Sequence, residues 1–302
     1  MEGQDKSVFV IRGTEFLAPQ LPAGLYLVST PIGNLGDITL RALETLAASN
    51  VIACEDTRTS GVLLKRYGID RPKISYTEHN ADQRGPDLLR QIANGAAIAL
   101  ISDAGTPLVS DPGFRLVREA VAQNLPVVPI PGASAPLAAL VGSGLQSEQF
   151  RFCGFLPSKT QARQRFLEGL CDDQSTLLFF ESPARLKDSL KAMGLCFGSQ
   201  RQIVVAREMT KLHEAYHRGT ADELVAEFAS IEKIRGEIVI VVAPVTQSIA
   251  SMDDAHEMLK TALGSMKTKQ AANHVAEQTG LSKQALYKEA LSIQKNNRSD
   301  ES

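Results

Sequence analysis

Two carboxylates and two glycines lie within one short stretch of the chain, Ser102 to Gly113, a composition suited to holding a ligand. The stretch follows an apolar run over 96–101 that predicts a buried strand, and a helical pattern over 114–122 comes after it. Loops at the carboxyl ends of parallel strands are where open α/β sheets bind ligands. Gly105 and Gly113 permit backbone conformations that other residues resist. The stretch therefore predicts a ligand-binding loop, with an ordinary strand-to-helix turn as the alternative.

Two further loops of small residues follow predicted strands in the same way. The strand over 25–30 runs into Pro31–Asp37, and Asp37 is the predicted N-cap of the amphipathic helix that comes next. A strand over 127–130 ends in Pro131–Ala135 before another helical pattern. Because the carboxyl ends of parallel strands lie along one edge of a sheet, the three loops are predicted to line one cleft.

The order of the elements indicates an α/β fold with a helical appendage. Strand and helix patterns alternate from Gly24 to about Gly132, which favours a mostly parallel sheet. From about Phe150 a second α/β layer of more mixed strand direction is predicted, and beyond Ser251 two helices around a Gly-containing turn are similar to a helix-turn-helix. The predicted segments are a loose leader (1–21), an N-terminal α/β domain (22–134), a second α/β domain (135–246), a helical unit (251–295) and a polar tail (296–302).

Composition and charge exclude several classes of protein. A net charge of -2 argues against binding nucleic acid with the whole surface, although seven basic and three acidic residues fall between His256 and Arg298. No apolar run approaches the ~20 residues that cross a bilayer and no signal peptide is evident, so a cytoplasmic protein without membrane contact is expected. The four cysteines have no close C-x-x-C spacing, and no His/Cys/Asp cluster has metal-ligand spacing, so neither disulfides nor a metal are expected.

Short motifs spread along the chain carry a family resemblance. They are Ser29–Asp37, Cys54–Arg58, Ser102–Gly113, Pro131–Ala135, Gly154–Pro157, Glu181–Leu186, Arg207–Lys211 and Arg235–Glu237. Together they resemble the tetrapyrrole methylase superfamily and, within it, the RsmI-type branch that methylates 16S ribosomal RNA; the resemblance covers about Gly24 to Lys295. The first loop is less glycine-rich than in the tetrapyrrole-modifying relatives, and the C-terminal helical unit is not typical of them. Both features favour the RNA-directed branch.

The resemblance implies a fold and an activity. The fold would be two α/β domains with a cofactor cleft between them, followed by the helical unit. The activity would be transfer of a methyl group from S-adenosylmethionine to the ribose 2'-hydroxyl of a cytidine, cytidine 1402, in 16S ribosomal RNA. The RNA or the small ribosomal subunit would be the partner, and a homodimer is expected. The alternatives are a tetrapyrrole or translation-factor methyltransferase of the same fold, and a helix-turn-helix regulator that uses the α/β part as a ligand sensor.

The resemblance also implies which residues contact the methyl donor. They are Pro31, Ser102, Asp103, Ala104, Val109, Ser134, Ala135, Phe180 and Met209. Small residues allow the backbone to approach the donor closely, while Phe180 and Met209 would cover its adenosine or methionine portion. The alternative for these two larger side chains is ordinary core packing.

Two Arg–Glu sets are the candidates on the acceptor side. A ribose hydroxyl is a poor nucleophile at neutral pH, so a general base or a nearby cation is expected. Glu181 with Arg185, or Arg207 with Glu208, is hypothesised to serve the RNA, while Asp103 serves the cofactor side. The alternative is that each set is a partly buried ion pair that holds the domain interface.

Overall fold

The computed structural model describes residues 7–245, 252–279 and 281–299. The chain divides into two compact units. The first comprises the residues up to Gly169 together with Thr176–Val242, and the second comprises Leu170–Ser175 together with the residues from Ala243 onward.

The first unit carries the strands and most of the helices. Its strands are β1 (Val8–Ile11), β2 (Thr14–Leu17), β3 (Gly24–Val28), β4 (Val51–Cys54), β5 (Lys73–Ser75), β6 (Ala97–Ile101), β7 (Val127–Ile130), β8 (Phe150–Phe155), β9 (Thr176–Glu181), β10 (Gln202–Arg207), β11 (Ala215–Thr220) and β12 (Ile238–Val242). Its helices are α1 (Leu40–Ala48), α2 (Thr57–Arg66), α3 (Ala81–Ala93), α4 (Phe114–Ala122), α5 (Ala135–Ser143), α6 (Thr160–Glu168), α7 (Leu186–Phe197) and α8 (Ala221–Ala229).

The first sheet is wholly parallel, in the order β5-β4-β6-β3-β7. Every residue of β6 is buried, as expected for an inner strand covered on both faces. Because β3 pairs with β6 on one side and with β7 on the other, the loops after these three strands lie next to one another. The predicted parallel α/β sheet is confirmed.

The second sheet has mixed strand direction, in the order β11-β10-β12-β9-β8. The β8–β9 pair is parallel, whereas β9, β12, β10 and β11 pair antiparallel. All residues of β12 are buried. This confirms the prediction of a second α/β layer, and it brings the ends of β9, β10 and β12 close to one another.

The N-terminal residues form a β-hairpin from β1 and β2. Phe9 is only 3% exposed, and its ring stacks on Phe16 with the centroids 5.6 Å apart. The main-chain N–H of Val10 donates to Tyr67 O over 2.7 Å. The expected loose leader over 1–21 is therefore wrong for the hairpin. Its second strand, β2, is exposed at every residue and so lacks the buried apolar pattern that marks a strand in sequence. The first six residues of that leader lie outside the described residues.

The first long helix begins later than predicted. Asp37 belongs to a short 3-10 helix over Leu35–Asp37, which Asn34 caps by accepting from Gly36 N. The N-cap of α1 is Thr39, whose hydroxyl accepts from the main-chain N–H of the third helical residue over 3.1 Å. The prediction that Asp37 caps this helix is wrong, because the 3-10 turn delays its start.

The second unit contains the helices α9 (Met252–Leu263), α10 (Thr268–Thr279) and α11 (Lys283–Ser299). Small and aliphatic side chains from all three form one core, centred on Leu259, Val275 and Leu286. The expected polar tail over 296–302 is helical as far as Ser299, and its remaining residues lie outside the described ones. No helix in the described ranges has the length and apolarity needed to cross a bilayer.

Candidate active site

The first and central loops are joined by a pair of main-chain hydrogen bonds. Thr30 N donates to Gly105 O over 2.8 Å, and Gly105 N donates to Thr30 O over 3.0 Å. Gly105 has a φ of +79°, a conformation that favours glycine. Ser102 Oγ donates to the main-chain oxygen of Ala104 over 3.2 Å and so supports the central loop from within.

The third loop is fixed against the other two. Thr106 Oγ1 donates to Ala133 O over 3.2 Å and accepts from Ser29 Oγ over 3.2 Å. At Gly132 a Cβ would lie 2.8 Å from the Cβ of Ser29, so the backbones approach more closely than a larger residue allows. The three loops therefore form one connected edge, as their positions after β3, β6 and β7 predicted.

These loops and the ends of β9, β10 and β12 surround an apolar cavity of about 350 Å³. Cavities of ~300–1,000 Å³ are typical of small-molecule sites. The first sheet contributes mostly small side chains, whereas the second contributes Phe155, Phe180 and Met209. The Phe180 ring contacts Phe152 and Phe155, with centroids 4.9 and 5.3 Å away, so the three rings form one aromatic cluster at this wall of the cavity.

Most of the residues implied for the donor line this cavity. They are Ala104, Val109, Ser134, Ala135, Phe180 and Met209. Pro31 and Asp103 instead line an adjoining cavity of about 380 Å³, which shares Ile32, Ala104 and Glu237 with the apolar one. Ser102 is buried behind Ala104 and lines neither of these two cavities.

Glu181 is held in a buried network of hydrogen bonds at the end of β9. Its side chain is fully shielded from water, and Oε1 lies 2.8 Å from Arg185 Nη2 and accepts from Ser182 N over 2.7 Å. Its Oε2 accepts from Ser189 Oγ over 2.6 Å. Arg185 also donates to Leu156 O over 3.2 Å. With both oxygens engaged, the geometry of the pair favours the ion-pair alternative over an open general base.

A second charged cluster lies at the mouth of the adjoining cavity. Lys211 Nζ lies 2.8 Å from Glu208 Oε1 and 3.2 Å from Glu237 Oε2. Glu208 also accepts from Glu237 N over 3.0 Å, and its own N–H donates to Glu237 O over 3.0 Å. Glu208 thus pairs with Lys211, whereas the buried Nε of Arg207 finds no hydrogen-bond acceptor within the described part of the chain.

The backbone and electrostatics of this cluster are unusual. Glu208 and Thr210 have φ values of 51° and 65°, in the left-handed region that non-glycine residues seldom adopt. The hydrogen bond from Lys211 and that from Glu237 N hold the pKa of Glu208 below its ordinary value. Partial burial lowers the pKa of Lys211, but the two carboxylates outweigh it, so the net shift is upward. Lys211 is therefore a fixed ammonium at neutral pH.

Acidic side chains on the first sheet show the opposite shift. Burial raises the pKa of Asp111 above its ordinary 3.8; a hydrogen bond from Ser102 opposes this, and the charge of Asp103 adds to it. Burial likewise raises the pKa of Glu55, and Asp103 and Asp111 add to that rise. Three acidic side chains, Glu55, Asp103 and Asp111, therefore lie close enough to interact with one another at this edge of the sheet, beside the apolar cavity.

Sequence reasoning missed several cavity residues. Asp111, Phe155 and Glu237 line the apolar cavity although no role was predicted for them. Each lies in a motif that carried the resemblance, so the sequence did mark these positions. It could not show that they lie next to the cavity, and only that proximity assigns them a role. Over the described ranges, no group of three or more His, Cys, Asp and Glu side chains is arranged to hold a metal ion.

Two family patterns match the chain. The tetrapyrrole (corrin/porphyrin) methylases match residues 24–225, and the RsmI C-terminal HTH domain matches residues 250–294. A ribosomal RNA small subunit methyltransferase I from Mesorhizobium japonicum is 51% identical over 93% of this chain and 95% of its own length.

Solved structures share the fold at low sequence identity. A cobalt precorrin-4 methyltransferase superposes with a TM-score of 0.55 at 15% identity, over 72% of this chain and 94% of its own. A uroporphyrin-III C-methyl transferase from Thermus thermophilus, solved with S-adenosyl homocysteine, has a TM-score of 0.50 at 20% identity, over 72% of this chain and 96% of its own. The fold, the family patterns and the close relatives agree: the chain belongs to the tetrapyrrole methylases and, within them, to the ribosomal RNA small subunit methyltransferase I family.

Proposed function

We propose that this chain transfers the methyl group of S-adenosylmethionine to the ribose 2'-hydroxyl of a cytidine, equivalent to cytidine 1402, in 16S ribosomal RNA of the small subunit. The apolar cavity carries the proposal, since six of the residues implied for the donor converge on it. The names of the relatives support ribosomal RNA as the acceptor. The nucleotide and its 2'-oxygen come from the family resemblance.

The residues present fit S-adenosylmethionine. Gly105 and Ala104 leave room for close approach to the central loop, while Phe180 and Met209 offer an apolar cover for an adenine ring. The carboxyl groups of Asp111 in the apolar cavity and Asp103 in the adjoining one suit the positive sulfonium and ammonium groups of the donor. When bound, S-adenosylmethionine supplies an electrophilic methyl group.

The acceptor hydroxyl must lose its proton as the methyl group is transferred. We infer that Glu237 accepts this proton, because it lines both the apolar and the adjoining cavity and its side chain is 71% exposed. Lys211 then stabilises the developing alkoxide, since its ammonium is 3.2 Å from Glu237 and lines the adjoining cavity. Glu208 acts as a positioning residue that fixes Lys211.

Glu181 and Arg185 receive a supporting role in this proposal, as Glu208 does, whereas Arg207 receives none. Glu181 and Arg185 position the turn at Ser182 and Pro183, both of which line the apolar cavity.

The resemblance further implies a homodimer, and light scattering of the purified protein tests that expectation.

The decisive test is transfer of labelled methyl from S-adenosylmethionine to purified small ribosomal subunits and to free 16S RNA, followed by nucleoside analysis. The expected product is 2'-O-methylcytidine at a single position. Label on a base, or no label on either substrate while the protein still binds the donor, would overturn the proposed acceptor.

A pair of variants on α5 tests the donor cavity independently of RNA. Ala135→Leu adds bulk to the cavity, whereas Val141→Leu adds bulk at a largely exposed position of the same helix. Calorimetric titration with S-adenosylmethionine should show at least about a tenfold loss of affinity for the first variant, because well-packed sites cannot absorb added methylenes. Equal affinities of the two variants for S-adenosylmethionine would show that the donor does not bind in this cavity.

A further inference from the structure

We propose that a groove beside the N-terminal hairpin holds the single-stranded RNA segment that flanks the acceptor nucleotide; this inference rests on the proposed function. The hairpin groove has a volume of about 950 Å³. It is bounded by the hairpin turn at Arg12, the first loop at Gly33–Gly36, the end of α2 at Arg66 and the loop Thr210–Leu212.

The hairpin groove is continuous with the cavities of the active site. Gly33, Leu35 and Lys211 line both the groove and the adjoining cavity. That cavity in turn shares Ile32 and Glu237 with the apolar cavity. A polymer whose reacting hydroxyl lies at Lys211 therefore has an open path that leads to the hairpin.

The charged side chains that line the groove are all cations, namely Arg12, Arg66 and Lys211. Lys211 is already paired with Glu208 and Glu237 and is assigned to the acceptor hydroxyl, so it is not counted as a phosphate contact. In the part of the chain that the structure describes, neither Arg12 nor Arg66 forms an ion pair with a carboxylate. Two guanidinium groups thus remain for phosphate oxygens, which they bind in a bidentate manner.

The hairpin presents Arg12 from an ordered position. Arg12 and Gly13 form its two-residue turn with φ values of 49° and 86°, as in the type I' turns that suit tight hairpins. The hairpin is anchored near its start, where Arg71 Nη2 donates to Ser7 Oγ and Nε donates to Ala47 O, both over 2.6 Å. The backbone that carries Arg12 is therefore already ordered, so a bound phosphate has to fix only the side chain.

The groove also offers apolar surface beside the cations. Leu212 is 92% exposed and Leu40 is largely exposed, and both line the groove. Unpaired nucleotides present base faces that can cover apolar side chains and so remove them from water, and phosphates that pair with arginine. In a duplex the base faces are stacked and unavailable, so the combination favours a single strand.

The test compares Arg12→Ala/Arg66→Ala with wild-type protein in methyl transfer to small subunits. The double variant should raise KM for the RNA substrate about tenfold, with kcat and the Kd for S-adenosylmethionine unchanged. A fluorescent single-stranded RNA oligonucleotide gives a second readout. Loss of two phosphate contacts should reduce the slope of log Kd against log salt by about 1.4.

The matched control is Arg90→Ala/Arg118→Ala, which removes two exposed arginines from α3 and α4, outside the groove and both cavities. It should keep the wild-type KM and salt slope. If wild-type protein methylates RNA and the Arg12/Arg66 variant shows the control's KM and slope, the groove proposal is overturned while the proposed function stands. If wild-type protein methylates no RNA, the proposed function fails. The groove proposal is then tested by the oligonucleotide alone, and equal binding by wild type and the Arg12/Arg66 variant overturns it.

Discussion

Gly33 and Lys211 touch across the active-site cleft, so closely that a Cβ on Gly33 would lie 2.7 Å from Lys211 Cγ. The first loop and the loop after β10 therefore meet at the ammonium that we assign to the acceptor. Gly33→Ala should push Lys211 away from Glu237 and lower kcat by roughly ten- to a hundredfold, because displacements of about 1 Å have such effects on catalysis. Single-turnover assays with saturating donor measure this.

Gly61→Ala is the control for this substitution. Gly61 lies in α2, where a Cβ meets nothing within 4 Å, so alanine should leave kcat unchanged and stabilise the helix by about 0.5–1 kcal/mol. Equal kcat values for Gly33→Ala and Gly61→Ala would contradict the role given to the contact.

The assignment of Lys211 and Glu237 predicts a separation of kcat from KM. Lys211→Met and Glu237→Gln should each lower kcat by about a hundredfold or more, the usual contribution of a proton acceptor or an oxyanion stabiliser. The Kd for S-adenosylmethionine should stay near the wild-type value, and Lys211→Arg should recover part of the rate because it keeps the charge. A rise in KM alone, with kcat intact, would reduce both residues to substrate contacts.

Arg185 should matter more for stability than for turnover. Arg185→Ala leaves the carboxylate of Glu181 buried without its cation, although Ser182 N and Ser189 Oγ still donate to it. Allowing for the 29% exposure of Arg185, we expect a loss of about 2 kcal/mol in the free energy of unfolding. Urea denaturation measures it, with Arg90→Ala, an exposed member of a surface pair, as the nearly neutral control.

Turnover separates the two interpretations of this pair. A structural anchor predicts that Arg185→Ala retains most of its kcat below its unfolding temperature. If Arg185→Ala instead has normal stability and a hundredfold lower kcat, Glu181 and Arg185 act on the RNA substrate.

The three cleft loops were predictable from sequence because each follows an apolar strand and contains small residues. Their adjacency followed from the rule for parallel strands, and β3, β6 and β7 do lie side by side. The hairpin was not predictable, since β2 is exposed throughout and gives no apolar pattern. Tertiary contacts at Phe9 and Val10, rather than a periodic pattern, hold it in place.

The ion-pair partners of Glu208 also could not be predicted from the sequence. The motif Arg207–Lys211 suggested an Arg–Glu pair between neighbours, but Glu208 lies just beyond the end of β10 and does not continue the strand. Glu208 turns into the left-handed region directly after β10 and meets Lys211 and Glu237, the latter 29 residues away in the chain. Such pairings depend on the strand order β10-β12, which the sequence alone does not specify.

The half-buried carboxyl of Asp111 should make stability depend on pH in a defined direction. Its pKa in the folded protein lies above the ordinary 3.8, mainly because burial disfavours the charged form. At pH values between 3.8 and the raised pKa, the Asp111 carboxyl therefore binds more protons in the folded than in the unfolded state. Its contribution to stability falls as pH rises through this range. Asp111→Asn removes the charge, so its stability relative to wild type should increase over that window and then level off.

Ser102→Ala sharpens this test, because the Ser102 hydroxyl opposes the rise in the pKa of Asp111. Without that hydrogen bond, the stability difference that Asp111→Asn produces should level off at a higher pH. Unfolding free energies from urea titrations between about pH 4 and pH 8 give the comparison for wild type, the two single variants and the double variant. If the difference in unfolding free energy between wild type and Asp111→Asn does not change with pH, the Asp111 carboxyl is fully solvated. The acidic group that we assign to the sulfonium side of the cavity would then be absent from it.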